Sequence, residues 1–198
     1  MFGKKSGWKG NKMRKTITGQ VFLIICCIFY LIWWYRGYRL GVIVKRAGGV
    51  NGILLMITTA FGIAGVTFSL QGLSMTGTPK INPPVIAVGG IIFYIAALLV
   101  TKVLFHRIVT SELFLIVGWT MLEITVVNRL NAAVLLSDGN FILMGVIIAA
   151  ACIISLILYV AHYQMEEMKA FYAAMIPLIT EAAAMAILVG IVFPGGTK

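Results

Sequence analysis

Charged residues are scarce in this chain, and acidic ones are the scarcest: six Asp and Glu in 198 residues, against 16 Lys and Arg. Only 11% of the sequence is charged, well below the roughly 25% of an ordinary soluble domain. So little polar surface does not cover a water-soluble globule. Cysteine is rare as well. Cys26, Cys27 and Cys152 all fall inside apolar runs, where they read as small apolar fillers. The adjacent pair point about 100° apart on a helix, which disfavours a bridge between them. His106 and His162 are the only histidines, and no Cys/His spacing suggests a zinc site. Neither a metal nor a cofactor is expected.

Enzyme signatures are missing too. There is no Gly-x-Ser-x-Gly, no His-Glu-x-x-His and no phosphate-binding glycine loop. Glu166-Glu167 is the kind of pair that intramembrane CAAX-type proteases carry. That family also needs His and Asn or Asp positions on other helices, and His106 and His162 both stand at the ends of apolar runs. The expectation is a protein that is not an enzyme. Nor does the N-terminus read as a cleaved leader. Its apolar stretch Ile17–Tyr35 is longer than a signal core of about 7–15 residues, and no small-x-small site follows it. An uncleaved signal-anchor is the better reading.

What the sequence has in abundance is apolar length. Hydrophobic residues make up 61% of it, and its mean hydropathy is +1.01. Six runs approach or exceed the roughly 20 residues that cross a bilayer: Ile17–Tyr35, Gly52–Leu73, Val85–Phe105, Leu113–Leu136, Phe141–Tyr163 and Ala170–Phe193. Breaker residues separate them, notably Gly77, Pro79, Asn82, Pro83 and Pro84 after the second run and Ser137-Asp138-Gly139-Asn140 after the fourth. The runs are continuous rather than alternating, which argues against a β-barrel. The fold class expected is therefore all-α, a polytopic transmembrane helix bundle of about six spans. Residues 1–16 read as a basic, cytoplasmic-type tail, 17–193 as a single six-helix domain, and 194–198 as a short C-terminal tail.

The net charge of +10 is concentrated at the flanks of spans. Lys4, Lys5, Lys9, Lys12, Arg14 and Lys15 precede the first run, and Arg36, Arg39, Lys45 and Arg46 follow it. Charge in these places meets anionic lipid headgroups, and nucleic acid is not an expected partner. Arg36, Arg39, Lys45 and Arg46 come just after Trp33, Trp34 and Tyr35, an interfacial aromatic belt, and are candidates for headgroup contact. The dense charge ahead of the first run favours both termini in the cytoplasm, in a bacterial cytoplasmic membrane.

Two acidic residues fall near the middle of runs. Glu123 lies ten residues into the fourth, about 15 Å from its start, with Trp119 and Asn131 on the same face. Glu181 lies eleven residues into the sixth, four after Pro177. Proline in that position takes the usual donor from the Ala173 carbonyl and predicts a kink. Ionisable groups at such depth are costly and usually face a bundle interior. The sequence suggests that Glu123 and Glu181 face a common cavity and handle a proton or cation, with Thr120, Asn128, Arg129, Asn131 and Thr180 as polar lining. The bland alternative has each acid protonated and hydrogen-bonded, or paired with Arg129, holding helices together. Ala182, Ala186 and Gly190 form a small-residue ridge fit for close helix packing, and Ala60 with Ala64 suggests another. A small transporter or channel-like protein is the first functional reading. The second is a non-transporting subunit or scaffold that docks a membrane partner, another copy of itself or anionic lipid.

Overall fold

The computed structural model describes residues 3–39, 50–105, 110–162 and 164–193. Among the described residues there is no strand, and seven helices account for nearly all of the chain: α1 (Gly3–Arg39), α2 (Val50–Gly72), α3 (Pro83–Phe105), α4 (Thr110–Ala132), α5 (Asp138–His162), α6 (Glu167–Ala173) and α7 (Ile176–Val192). With α6 and α7 taken as one interrupted span, six are long and apolar enough to cross a membrane. The chain is a multi-pass, all-α membrane protein. Its outward faces are those of a molecule solvated by lipid: Val85, Ile92 and Val103 of α3 and Ile142, Val146 and Ile157 of α5 are all at least 60% exposed.

The helix ends follow local chemistry. α3 opens with Pro83-Pro84 in its first turn, where a missing N–H costs nothing. α5 opens behind Ser137, whose hydroxyl accepts from the Asn140 N–H (3.3 Å). Three ends differ from the sequence expectation. α1 does not begin after the basic tail but runs through it, because lysine and arginine are good helix formers and no proline interrupts them. α4 stops at Ala132 rather than Leu136. Val134 takes a left-handed φ of 63°, the Val134 N–H donates to the Asn131 carbonyl, and the Leu135 N–H donates to the Leu130 carbonyl (both 2.9 Å). That is the bonding pattern of a Schellman ending. The sixth span is broken outright at Ala174-Met175, and Pro177 sits in the first turn of α7 instead of kinking a continuous helix.

Two compact units result, one formed by Met1–Ser74 with Leu178–Lys198, the other by Met75–Pro177. In the first, α1 and α2 form a tight antiparallel hairpin. A β-carbon on Gly19 would lie 2.6 Å from the Ser69 nitrogen, one on Gly65 2.7 Å from Leu23, and one on Gly72 would meet the Thr16 hydroxyl. Side chains at these three positions would hold the helices apart; hydrogen lets the backbones touch. Phe22 packs on the flank against Phe61 and Phe68, with ring centroids 5.5 and 5.6 Å apart. At the hairpin's open end, Lys12 donates to the Ser74 carbonyl (2.5 Å) and Lys15 to the Gln71 side-chain oxygen (3.0 Å). The first bond supplies a cation to the carbonyl-rich end of α2. The ridge expected from Ala60 and Ala64 is not the one in use, since Ala60 is exposed.

In the second unit α3, α4 and α5 share a core of Leu113, Ile116, Val117, Cys152 and Tyr159, with Tyr94, Leu98, Met121 and Leu156 packed around it. Gly90 admits the Met121 thioether to the α3 backbone. The buried Tyr159 hydroxyl is not stranded in this core, because it shares a hydrogen bond with Thr101 of α3.

Candidate functional site: a buried carboxylate on α4

α4 buries a continuous stripe, Leu113, Ile116, Val117, Glu123, Val126, Val127 and Leu130, each 7% exposed or less. With half-buried Thr120 bridging Val117 and Glu123, the 3-4-3 spacing is that of one helix face. Glu123 stands in its middle at 1% exposure, thirteen residues from one end of α4 and nine from the other, or roughly 20 and 14 Å. The hydroxyls on neighbouring turns have committed their protons to the helix. Thr120 donates to the Ile116 carbonyl (2.8 Å) and Thr125 to the Met121 carbonyl (2.7 Å), so each presents only oxygen lone pairs outward. One turn before Glu123, the indole nitrogen of Trp119 is buried with no hydrogen-bond partner among the described residues. An unmet buried donor of this kind costs about 1–3 kcal/mol.

Glu181 is the second mid-span acid. It is 9% exposed and begins the buried stripe of α7, which continues through Ala184, Met185, Leu188 and Val192. It belongs to the unit with α1 and α2, and Glu123 to the other. Thr180 and Pro177, near the start of α7, are half-buried. The small-residue ridge lies beside the buried stripe rather than within it. Ala182 is half-buried, Ala186 and Gly190 are exposed, and a β-carbon on Gly190 would meet nothing within 4 Å.

Asn128 and Asn131, expected as lining, are occupied by local structure. Asn128 is 1% exposed. Its side-chain oxygen accepts from the Ile81 N–H (3.1 Å), and its amide nitrogen donates to the Ile81 carbonyl (2.7 Å). One side chain thus satisfies both backbone groups of a residue 47 positions earlier. The Asn131 amide donates to the Leu136 carbonyl (3.0 Å) and to Asp138 (2.9 Å), and Asp138 in turn pairs with Lys80 at 2.6 Å. Lys80 also lies over the Phe141 ring, 5.3 Å from its centroid. Together these groups cap the ends of α4 and α5. Sequence reasoning found the two asparagines but not Ile81, Lys80 or Asp138. An amide inside an apolar run was the signal for the former; nothing local marks their partners. Arg129, half-buried, stands three residues from the end of α4.

The flanking candidates are dispersed. Arg36 is exposed, Arg39 ends α1, and Lys45 and Arg46, like His106, lie outside the described residues. His162 Nδ1 lies 3.1 Å from the Ala170 carbonyl, and Glu166 pairs with Lys169 (3.1 Å) on the surface. Among the described residues no three His, Cys, Asp or Glu side chains are grouped as metal ligands.

No protein-family model, curated protein or solved structure matches this chain. Its function is therefore argued from the buried carboxylate and its surroundings alone.

Proposed function

We propose that this is a small membrane transporter that moves a proton, or a cation coupled to one, with Glu123 as the group that binds and releases it. The observation carrying this reading is the burial of Glu123 in the middle of an apolar helix face. A carboxylate there is expensive when charged and cheap when protonated. Its charge state is therefore bound to whether water reaches it, which is the property an alternating-access proton site needs. Thr120 supplies a lone pair and Trp119 an uncommitted N–H on adjacent turns. Glu181, buried on α7, is the second protonatable group.

The test is proton uptake into proteoliposomes under a potassium diffusion potential, read with an entrapped pH dye. Wild-type protein should acidify the lumen, and Glu123→Gln should reduce uptake to the rate of protein-free vesicles. Glu181→Gln should slow uptake. Wild-type flux retained in both variants would remove the carboxylates from the mechanism and with them this reading.

A second reading is favoured by one feature of α7. The ridge of Ala186 and Gly190 is exposed, with open space around Gly190, as suits close approach by a helix of another membrane subunit. Under that reading the protein is a non-transporting subunit, and Gly190→Leu, not Glu123→Gln, is the variant that abolishes its activity.

A further inference from the structure

Residues 75–81 lie between α2 and α3 with no regular structure. Among the described residues none of them makes a backbone-to-backbone hydrogen bond. The segment is nevertheless held within the second unit. Met75 is 5% exposed. Gly77 has a φ of 145°, and a β-carbon there would land on the Ala132 carbonyl that ends α4. Ile81 is held through both its backbone groups by Asn128, and Lys80 through its ion pair with Asp138. Side chains of α4 and α5 thus hold the segment in place.

Glu123 lies deeper on the same helix. The capped end of α4 is the one nearer to it, nine residues away against thirteen. Asn131, Val127 and Glu123 follow one another at four-residue steps down one face, about 12 Å in all. Asn131 holds Asp138 at the mouth of this line. Val127, 2% exposed, is the apolar step between Asn131 and the acid.

We infer that residues 75–82 form a strap that closes this end of α4 to water, and that its release from Asn128 exposes Glu123 on that side. The inference rests on the reading of Glu123 as the proton-handling group, and it supplies that site with a gate. In the closed position described here the acid is occluded. With the strap free, the Asn128 amide turns to water, and the line Asn131–Val127–Glu123 opens at its top.

The experiment reads water access rather than flux, so it can fail or succeed independently of transport. Full-length protein in liposomes is treated with a water-soluble carbodiimide and an amine nucleophile, and modification of Glu123 is followed by mass spectrometry. Hydrogen–deuterium exchange across residues 75–82 reports strap release, and maleimide reactivity of Cys152, buried in the core of the same unit, reports core integrity. In Asn128→Ala and in Gly77→Val, strap exchange and Glu123 modification should both rise several-fold while Cys152 stays unreactive. Faster strap exchange with Glu123 modification at the wild-type rate overturns the gate. So does unchanged strap exchange in both variants, since these contacts would then not hold the strap. A parallel rise at Cys152 marks general loosening and also counts against it. Should the gate variants behave as expected while Glu123→Gln keeps full proton uptake, the strap stands and the transport reading falls.

Discussion

Val134 is the residue most at odds with its conformation. A β-branched side chain in the left-handed region is strained, and here it is also 87% exposed, so no packing compensates. Val134→Gly should stabilise the protein by about 1 kcal/mol, measured as a shift in the midpoint of unfolding in mixed detergent micelles. Asn128 is the opposite case, a buried side chain with its hydrogen-bonding groups in use. Asn128→Leu strands the Ile81 N–H and carbonyl together, at about 1–3 kcal/mol for each group left unmet. The same assay should show the loss, and Asn128→Asp, which keeps the acceptor, should recover part of it. Lys80→Met breaks a pair whose partners are both exposed and should change stability by less than about 1 kcal/mol.

Among the elements, the α1–α2 hairpin depends most on single atoms. Gly65→Leu or Gly72→Val would drive a side chain into Leu23 or Thr16 of the facing helix, and overpacking of this kind costs about 1–3 kcal/mol or more. The expected signature is a lower unfolding midpoint, with a smaller effect from Gly89→Ala, whose β-carbon meets nothing within 4 Å. The sequence places Gly65, Ser69 and Gly72 on one face at steps of four and three but does not say which helix meets them, and Ala60 and Ala64 offered the more obvious ridge. The spans themselves were legible, because run length and breaker residues are local properties. Their ends were less so. α4 stops where a valine adopts a conformation that its side chain disfavours, and α6 stops ahead of a proline whose effect read equally well as a kink. The burial of Glu123 could be anticipated from its depth alone. The contact of Asn128 could not, since it joins α4 to Ile81 in the segment before α3.

For the molecule as a whole, the charge distribution sets the relation to its solvent. Helix α1 carries Arg14 toward one end and Arg36 toward the other, both exposed, separated by 22 residues or about 33 Å, close to the thickness of a hydrocarbon core. Basic groups near an anionic leaflet contribute about 1 kcal/mol each. The protein should therefore melt higher in nanodiscs of phosphatidylglycerol than in those of phosphatidylcholine. Arg14→Gln with Arg36→Gln should shrink the gap, and high salt should shrink it further. An equal melting temperature in the two lipids would show that these charges do not engage headgroups.

The division into units carries one more consequence, for how the protein is made. The α1–α2 hairpin closes within the first 74 residues, yet the rest of its unit comes from the other end of the chain, after Pro177. At about 5–20 residues per second, a ribosome spends some five to twenty seconds on the segment between. During that interval the finished hairpin waits in the bilayer without its last helix, and the carboxyl group of Glu181 has yet to arrive. Chains halted before α7 should present that unfinished surface to membrane chaperones and quality-control proteases, and chains halted after it should not.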